Sequence, residues 1–197
     1  ITGGEGSDTV VFAGNKGDFT FEVAADGTLT VTDLNTMTVL GVDTITGVET
    51  LRFDDGDLTV TTAEDGYVTL TGTDADDDVT VVGTTAVTLE GTGGADTLTG
   101  GDGDDLIAGG DDRDDIDGGL GNDTITGDAG SDVLSGDDGD DLIDGGDGGD
   151  IVYAGEGSDT VFGGSMRAAG DPAEETLAMK EAQAMVCNCP HCRAMRL

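Results

Sequence analysis

The chain has little of what a conventional globular core requires, since it contains no tryptophan and its aromatic residues make up only 4% of the total. Large side chains supply much of the area that a packed core buries, so their scarcity favours a layered structure. Cysteine is confined to the last eleven residues, as Cys187, Cys189 and Cys192. Residues 1–186 can therefore form no internal disulfide.

Basic residues are also scarce, because 7 Lys and Arg stand against 43 Asp and Glu for a formal net charge of -36. Nucleic acids and anionic membrane surfaces are both recognised through clustered basic residues, so we expect neither as a partner. No apolar run approaches the length of a membrane span, and we expect no membrane insertion. The natural partners of such a chain are cations, although this composition is also typical of disorder.

A nine-residue period distinguishes a cation-binding fold from a disordered chain. From Gly91 onward eight nonapeptides follow one another without a gap, as GTGGADTLT, GGDGDDLIA, GGDDRDDID, GGLGNDTIT, GDAGSDVLS, GDDGDDLID, GGDGGDIVY and AGEGSDTVF. Position six is always aspartate, at Asp96, Asp105, Asp114, Asp123, Asp132, Asp141, Asp150 and Asp159. Position eight is always a branched aliphatic residue, at Leu98, Ile107, Ile116, Ile125, Leu134, Ile143, Val152 and Val161. Disorder does not predict such a register.

This pattern resembles the RTX, or hemolysin-type, calcium-binding repeat G-G-x-G-x-D-x-U-x. The resemblance covers residues 91–164 densely, with an isolated copy at 3–11 and a degraded copy at 72–80, and residues 81–90 break the register by one. It implies an all-β fold, a parallel β-roll or β-solenoid, and calcium as the bound ion. It also implies an extracellular or cell-surface protein, generally exported by type I secretion machinery.

The spacing itself favours cation binding at the edges of such a roll. Six turn-forming residues and a three-residue strand reverse the chain, so two repeats complete a coil of 18 residues. Aspartates 18 apart then stack about 4.8 Å from one another, where a hard divalent cation would relieve their repulsion. One edge carries Asp96, Asp114, Asp132 and Asp150, and the other carries Asp105, Asp123, Asp141 and Asp159.

We therefore predict several calcium ions, with a ceiling of six in residues 91–164, held by the eight position-six carboxylates. Backbone carbonyls of turn glycines are expected to complete the ligand sets, at Gly101, Gly103, Gly119, Gly121, Gly146 and Gly148. Asp8 and Asp77 are further candidates in the isolated and degraded copies. Eight buried aliphatic residues offset little of the entropy lost on ordering these repeats, so we expect the region to fold as it binds calcium.

Five positions depart from the motif and bear on individual turns. The second glycine is replaced by Thr92, Asp128 and Asp137, the third by Asp112, and the first by Ala154. A residue other than glycine in these turns must adopt a conformation that glycine reaches freely, or the turn distorts. We expect Asp112 to be the most disruptive replacement.

The remaining segments differ in composition from the repeats. Residues 12–71 are predicted to be β-rich and to pack against or cap the roll, with a hairpin around residues 25–27 and a further strand over 44–53. Residues 72–90 are degraded repeats. Residues 165–197 form a tail in which Asp171-Pro172 begins a predicted helix. Its CysAsnCysProHisCys segment at 187–192 leaves open a zinc or copper site, reactive thiols, or no role.

No enzymatic motif is present, because H-E-x-x-H, G-x-S-x-G and P-loop patterns are lacking and His191 is the sole histidine. We predict no enzyme within this chain, which begins inside a repeat and reads as a fragment. Two functions remain in consideration. The first is a secretion and stability module of an exported protein whose activity lies upstream, and the second is a structural or adhesive surface protein. Any host-cell or matrix partner stays unidentified.

Overall fold

Parallel β-strands wind into a β-solenoid in the computed structural model, which describes residues 1–34, 41–63 and 67–164. Its strands are β1 Thr9–Val11, β2 Phe19–Val23, β3 Leu29–Asp33, β4 Val42–Ile45, β5 Thr50–Phe53, β6 Gly56–Thr62, β7 Val68–Thr71, β8 Asp78–Val82, β9 Val87–Gly93, β10 Thr97–Gly101, β11 Leu106–Asp111, β12 Asp115–Gly119, β13 Thr124–Gly130, β14 Val133–Ser135, β15 Leu142–Asp144, β16 Asp147–Gly148, β17 Ile151–Tyr153 and β18 Thr160–Phe162. A 3-10 turn, Lys16–Asp18, precedes β2. The all-β class and the β-solenoid are confirmed, and the predicted helical tail lies outside the described residues.

Two sheets form the walls of the solenoid. Sheet 1 has the order β1-β5-β6-β7-β9-β11-β13-β15-β18, with β16 also paired to β13. Sheet 2 has the order β17-β14-β12-β10-β8-β2-β3-β4. From β8 onward consecutive repeats alternate between the sheets, so each coil contributes one strand to each wall. Nowhere in the three described ranges is there a helix with the length and apolar composition that a bilayer crossing needs.

The strand register confirms the 18-residue coil. Leu98 pairs with Ile116 in sheet 2, and Ile107 pairs with Ile125 in sheet 1. One coil is longer, because Val79 pairs with Leu98. That offset of 19 accommodates the extra residue that the sequence shows over 81–90.

The core is a stack of position-eight side chains. In a strand of the form x-U-x the middle side chain points inward and its neighbours point outward. The six such residues from Leu98 to Ile143 are exposed by 0–2%. Val152 and Val161, in the last described coil, are only partly buried because no further coil covers them among these residues.

The β-rich segment before the repeats continues both sheets and the same core. Its predicted hairpin is confirmed, since β2 and β3 pair antiparallel with Phe21 opposite Val31, and Gly27 in the connection has a φ of +77°. The strand β2 runs parallel to β8, and β7 runs parallel to β9. Aromatic rings with centroids 5.2–6.0 Å apart extend the core here, at Phe12, Phe19, Phe21 and Phe53.

The single strand predicted over residues 44–53 is wrong. The structure divides this stretch between β4 in sheet 2 and β5 in sheet 1. Gly47 has a φ of +59°, in the left-handed region, and it turns the chain from one wall to the other.

Candidate metal centre

The position-six aspartates lie in two stacks, one along each edge of the solenoid. Ladder A precedes the strands of sheet 2 and consists of Asp77, Asp96, Asp114, Asp132 and Asp150. Ladder B precedes the strands of sheet 1 and consists of Asp105, Asp123, Asp141 and Asp159. The six central members from Asp96 to Asp141 are exposed by 0–3%, whereas Asp150 and Asp159 are half-buried. Burial of so many carboxylates is costly unless each is bonded or neutralised.

In every ladder aspartate after Asp77, one carboxylate oxygen accepts a hydrogen bond from the backbone of the preceding coil. The Asp105 N–H donates to Asp123 Oδ1 at 2.8 Å, and the Asp96 N–H donates to Asp114 Oδ1 at 2.8 Å. Six such bonds of 2.8–3.1 Å link aspartates 18 residues apart. The structure thus brings together the six pairs that the sequence spacing proposes.

The other carboxylate oxygen has no hydrogen-bond partner although it is buried. This holds for Oδ2 of Asp96, Asp105, Asp114, Asp123, Asp132, Asp141 and Asp150. Buried acceptors without partners are rare in folded proteins, so a recurring set of them calls for a physical explanation. An acceptor-only oxygen of negative charge requires a cation or a proton.

Each of these unpartnered oxygens lies close to the α-carbon of the first glycine of its own repeat. A Cβ built on Gly100 would lie 2.5 Å from Asp105 Oδ2 and 2.7 Å from the carbonyl oxygen of Gly118 in the next coil. The same two kinds of oxygen flank the α-carbons of Gly91, Gly109, Gly127 and Gly136. The carboxylate can approach the backbone this closely only because glycine has no side chain.

The carbonyl groups of the turns stack along the solenoid axis. Each of these carbonyl oxygens approaches the glycine that lies one coil later so closely that a Cβ on that glycine would overlap it. This holds for the oxygens of Gly101, Gly103, Gly121 and Gly146. The Gly119 oxygen accepts a hydrogen bond from the Asp138 N–H at 3.0 Å, and a carbonyl oxygen retains a second lone pair. The remaining carbonyl candidate, Gly148, lies in β16.

The replaced turn glycines retain the conformation of glycine. Within the described residues, those other than glycine with positive φ are Thr92 at 87°, Asp112 at 75°, Asp128 at 65° and Asp137 at 62°. These four are the replacements of the second and third motif glycines, so of the two outcomes considered for these turns the left-handed backbone is the one observed. Asp112 lies between β11 and β12, which keep the register of the other coils.

Burial also disfavours the charged form of the ladder carboxylates. Desolvation, assisted by neighbouring carboxylates, raises the pKa of Asp96 and Asp123 to about 7 and that of Asp105 and Asp114 to about 6. The same causes raise the pKa of Asp132 and Asp141. Without a cation, these groups therefore hold protons at pH values where a free aspartate is ionised.

Asp8 follows the pattern of the repeats with a different partner. Its Oδ2 is buried without a hydrogen bond, and its N–H donates to Glu49 Oε2 at 2.8 Å. Because Thr9 pairs with Thr50, Glu49 takes the place of the next coil's aspartate. Glu49 is not part of a nonapeptide repeat, so the repeat pattern does not identify it. Its place directly before the alternating Thr50-Leu51-Arg52, as in the repeats, is the feature of the sequence that indicates its position.

Asp77 has partners for both oxygens. Its Oδ1 lies 2.8 Å from Lys16 Nζ, and its Oδ2 accepts a hydrogen bond from the Thr73 N–H at 2.6 Å. Lys16 is fully buried, and the repeat pattern does not include it. Asp77 therefore differs from the seven ladder aspartates whose second oxygen is unpartnered.

The oxygen atoms near the ladder carboxylates include those of the backbone. Among the residues that the structure describes, no group of three or more His, Cys, Asp or Glu side chains is arranged to hold a metal ion. A pair of carboxylates with stacked carbonyl oxygens is the available ligand set. Such a set suits a hard cation that accepts carbonyl ligands.

A family model described as the RTX calcium-binding nonapeptide repeat, in four copies, matches the chain at residues 90–125, 117–152 and 126–161. The matched region coincides with the coils that carry the unpartnered carboxylate oxygens. No curated protein matches the chain.

Proposed function

Because residues 90–161 are RTX calcium-binding nonapeptide repeats arranged as a β-roll, we propose that calcium ions bind between successive turns on each edge. The observation that carries this proposal is the row of seven buried, unpartnered Oδ2 atoms, five of which lie beside a carbonyl oxygen of the next coil. Each ion would be held by aspartates 18 residues apart and by stacked turn carbonyls. The six bonded pairs then correspond to a ceiling of six ions.

The donor set favours calcium over other common metals. Calcium takes six to eight oxygen ligands at about 2.3–2.6 Å in flexible geometry, and both carboxylates and carbonyls serve. Magnesium requires a tight octahedron and retains water. Zinc and copper prefer imidazole or thiolate, and histidine and cysteine occur in this chain only from Cys187 onward.

We propose further that the roll folds as calcium binds. Residues 91–164 carry 21 acidic side chains and one basic side chain, Arg113, for a net charge of -20, and six calcium ions would reduce this to -8. At neutral pH the metal-free fold must either bury these charges or bind protons. Calcium removes that cost and adds the binding free energy to folding.

A calcium titration tests this coupling. We expect circular dichroism of the chain in chelator to show little β-structure from the repeats, and we expect the β signal to rise cooperatively as calcium is added. Magnesium at the same concentration serves as the control and should produce little change. Repeats that are already fully folded in chelator at neutral pH would contradict the coupling.

A substitution in ladder B tests the ligand assignment. Asp123→Asn keeps the size of the side chain and its ability to accept a hydrogen bond from Asp105, but it removes the negative charge. We expect the calcium affinity of the adjoining sites to fall by at least about tenfold, measured by isothermal titration calorimetry. Asp115→Asn, at an exposed position on β12, is the matched control and should leave the affinity near that of the wild type.

The chain as a whole is proposed to act as the secretion and stability module of an exported protein. A region that stays unfolded without calcium can be exported as an open chain and then fold where calcium is abundant. A fusion of a passenger enzyme upstream of Ile1 tests this, with refolding yield measured in calcium and in chelator. A calcium-dependent gain supports the module, and a fusion indifferent to calcium would favour a structural or adhesive surface role.

A further inference from the structure

Lys16 is a buried cation in a strongly acidic molecule. Its side chain is 0% exposed, and its Nζ lies 2.8 Å from Asp77 Oδ1 and 3.3 Å from Asp55 Oδ1. Its backbone N–H also donates to both carboxylate oxygens of Asp55, each at 3.0 Å. A buried ammonium persists only where negative partners offset its desolvation, so the burial of Lys16 depends on the carboxylates of Asp77 and Asp55.

The place of Lys16 in the coil is that of a missing ladder member. On ladder A the Oδ1 of Asp96 accepts the Asp77 N–H at 2.8 Å, and each later member repeats this contact with the coil before it. The strand β2 precedes β8 in sheet 2, with Phe21 paired to Val81. The 3-10 turn containing Lys16 leads into β2, so the ammonium reaches Asp77 from the side where an earlier coil would lie.

We propose that the Lys16 ammonium supplies to Asp77 the positive charge that calcium supplies to the later members of ladder A, so that strands β1 to β8 form without calcium. The comparison with calcium rests on the proposed function. Under this proposal Asp77 is not a calcium ligand, because Lys16 and the Thr73 N–H already contact its two oxygens. The preformed edge of β7 and β8 then provides the surface on which the calcium-dependent coils assemble.

Ladder B begins with a second group that requires no metal. Its first backbone donor is the Val87 N–H, which bonds Asp105 Oδ1 at 2.8 Å. Thr88 is paired with Leu106, so Val87 takes the position of a ladder aspartate. Val87 is exposed by only 2% and contributes an apolar side chain to the core. Ladder A thus ends at the ammonium of Lys16, and ladder B ends at the aliphatic side chain of Val87.

The core of this N-terminal part also differs from that of the repeats. Phe12, Phe19 and Phe53 have ring centroids 5.2–5.3 Å apart, and Phe21 contacts Phe53 at 6.0 Å. Each repeat after Gly91 supplies a single aliphatic side chain at position eight. The larger apolar area of the aromatic side chains gives residues 1–82 a source of stability independent of metal.

The test uses the full chain and the variant Lys16→Met, which removes the ammonium but keeps a long side chain. In chelator we expect the wild type to protect the amides of β2 and β8 against hydrogen exchange, and the variant to lose that protection by about 100-fold or more. Added calcium should restore protection in the variant, and calorimetry should then count one more bound ion than in the wild type.

Two further variants separate this role from general damage. The double variant Lys16→Met with Asp77→Asn leaves no uncompensated charge in the pair, and we expect it to regain protection in chelator without needing calcium. Arg52→Met removes the same charge from an exposed ion pair with Asp57, where the Arg52 side chain is 55% exposed. We expect Arg52→Met to match the wild type in both conditions.

Unchanged protection in Lys16→Met, or a loss of protection that calcium does not restore while the repeats still bind calcium, would overturn the proposal. An unprotected N-terminal part in the wild type in chelator would do so as well. A wild type that binds no calcium at all would instead refute the proposed function. The comparison of the variants in chelator would still measure what Lys16 contributes.

Discussion

At the scale of single residues, the turns depend on how closely successive backbones approach. Gly121 has a φ of +121°, and a Cβ there would overlap the carbonyl oxygen of Gly103 in the preceding coil. Asp112 and Asp137 tolerate positive φ at 75° and 62°, which is the region that aspartate reaches at modest cost. Glycine is thus needed most where a neighbouring carbonyl leaves no space for a side chain.

The substitution Gly121→Ala tests this distinction. We expect it to destabilise the calcium-bound roll by at least about 2 kcal/mol, because it adds backbone strain to a steric overlap. Gly149→Ala is the matched control, since its φ lies outside the left-handed region and its nearest neighbour would be Ser131 Oγ at 3.7 Å. Urea unfolding in saturating calcium should show a large loss for the first variant and little change for the second.

At the scale of the elements, a three-residue strand has almost no stability of its own. A repeat strand inside a sheet, such as β11, is held by neighbours on both sides and by the inward side chain at position eight, here Ile107, which is fully buried. Its neighbour Leu106 points outward and is 47% exposed. The alternation along one strand therefore separates a residue that stabilises the core from one that does not.

A pair of adjacent substitutions measures this difference. Ile107→Ala is expected to cost about 2–5 kcal/mol, since it leaves a cavity between the two sheets. Leu106→Ala removes a similar number of atoms from a half-exposed site and is expected to cost about 0.5 kcal/mol or less. Equal losses in thermal or urea unfolding with calcium present would contradict the inward direction of position eight.

At the scale of the whole molecule, the charge of the ladders links stability to pH. Burial raises the pKa of Asp96 and Asp123 to about 7, whereas an unfolded aspartate titrates near 3.8. Between these values the metal-free fold binds more protons than the unfolded chain does, so its stability decreases as the pH rises from about 4 to 7. Calcium competes with those protons, and the calcium-bound fold should show the opposite trend.

We therefore expect opposite pH dependences in the two conditions. In calcium-free buffer the β signal and the unfolding midpoint should increase as the pH is lowered from 7 toward 5. In calcium the apparent affinity should decrease over the same range, because protons displace the ion from the ladder carboxylates. A metal-free form that gains stability as the pH rises would show that the ladder pKa values are not raised by burial.

The sequence by itself determined the repeating part of this protein. The 18-residue coil, the inward aliphatic residues and the two rows of aspartates follow from a nine-residue period, because each repeat has the same local chemistry and makes the same contacts with its neighbours. Asp105 and Asp123 are an example, since their spacing alone predicts that they lie on one edge. The motif also identified Asp112 as a residue in a glycine position, but it left open whether the turn would distort, and the φ of 75° shows that the left-handed backbone is kept.

Only the tertiary structure decided which aspartate oxygens are bonded and which lack a partner, because a count of residues does not distinguish Oδ1 from Oδ2. It also decided the places of Glu49 and Lys16, whose partners Asp8 and Asp77 are distant along the chain. It divided residues 44–53 between two sheets through the turn at Gly47. These features arise from single contacts outside the period, and such contacts form only when the coils have been stacked.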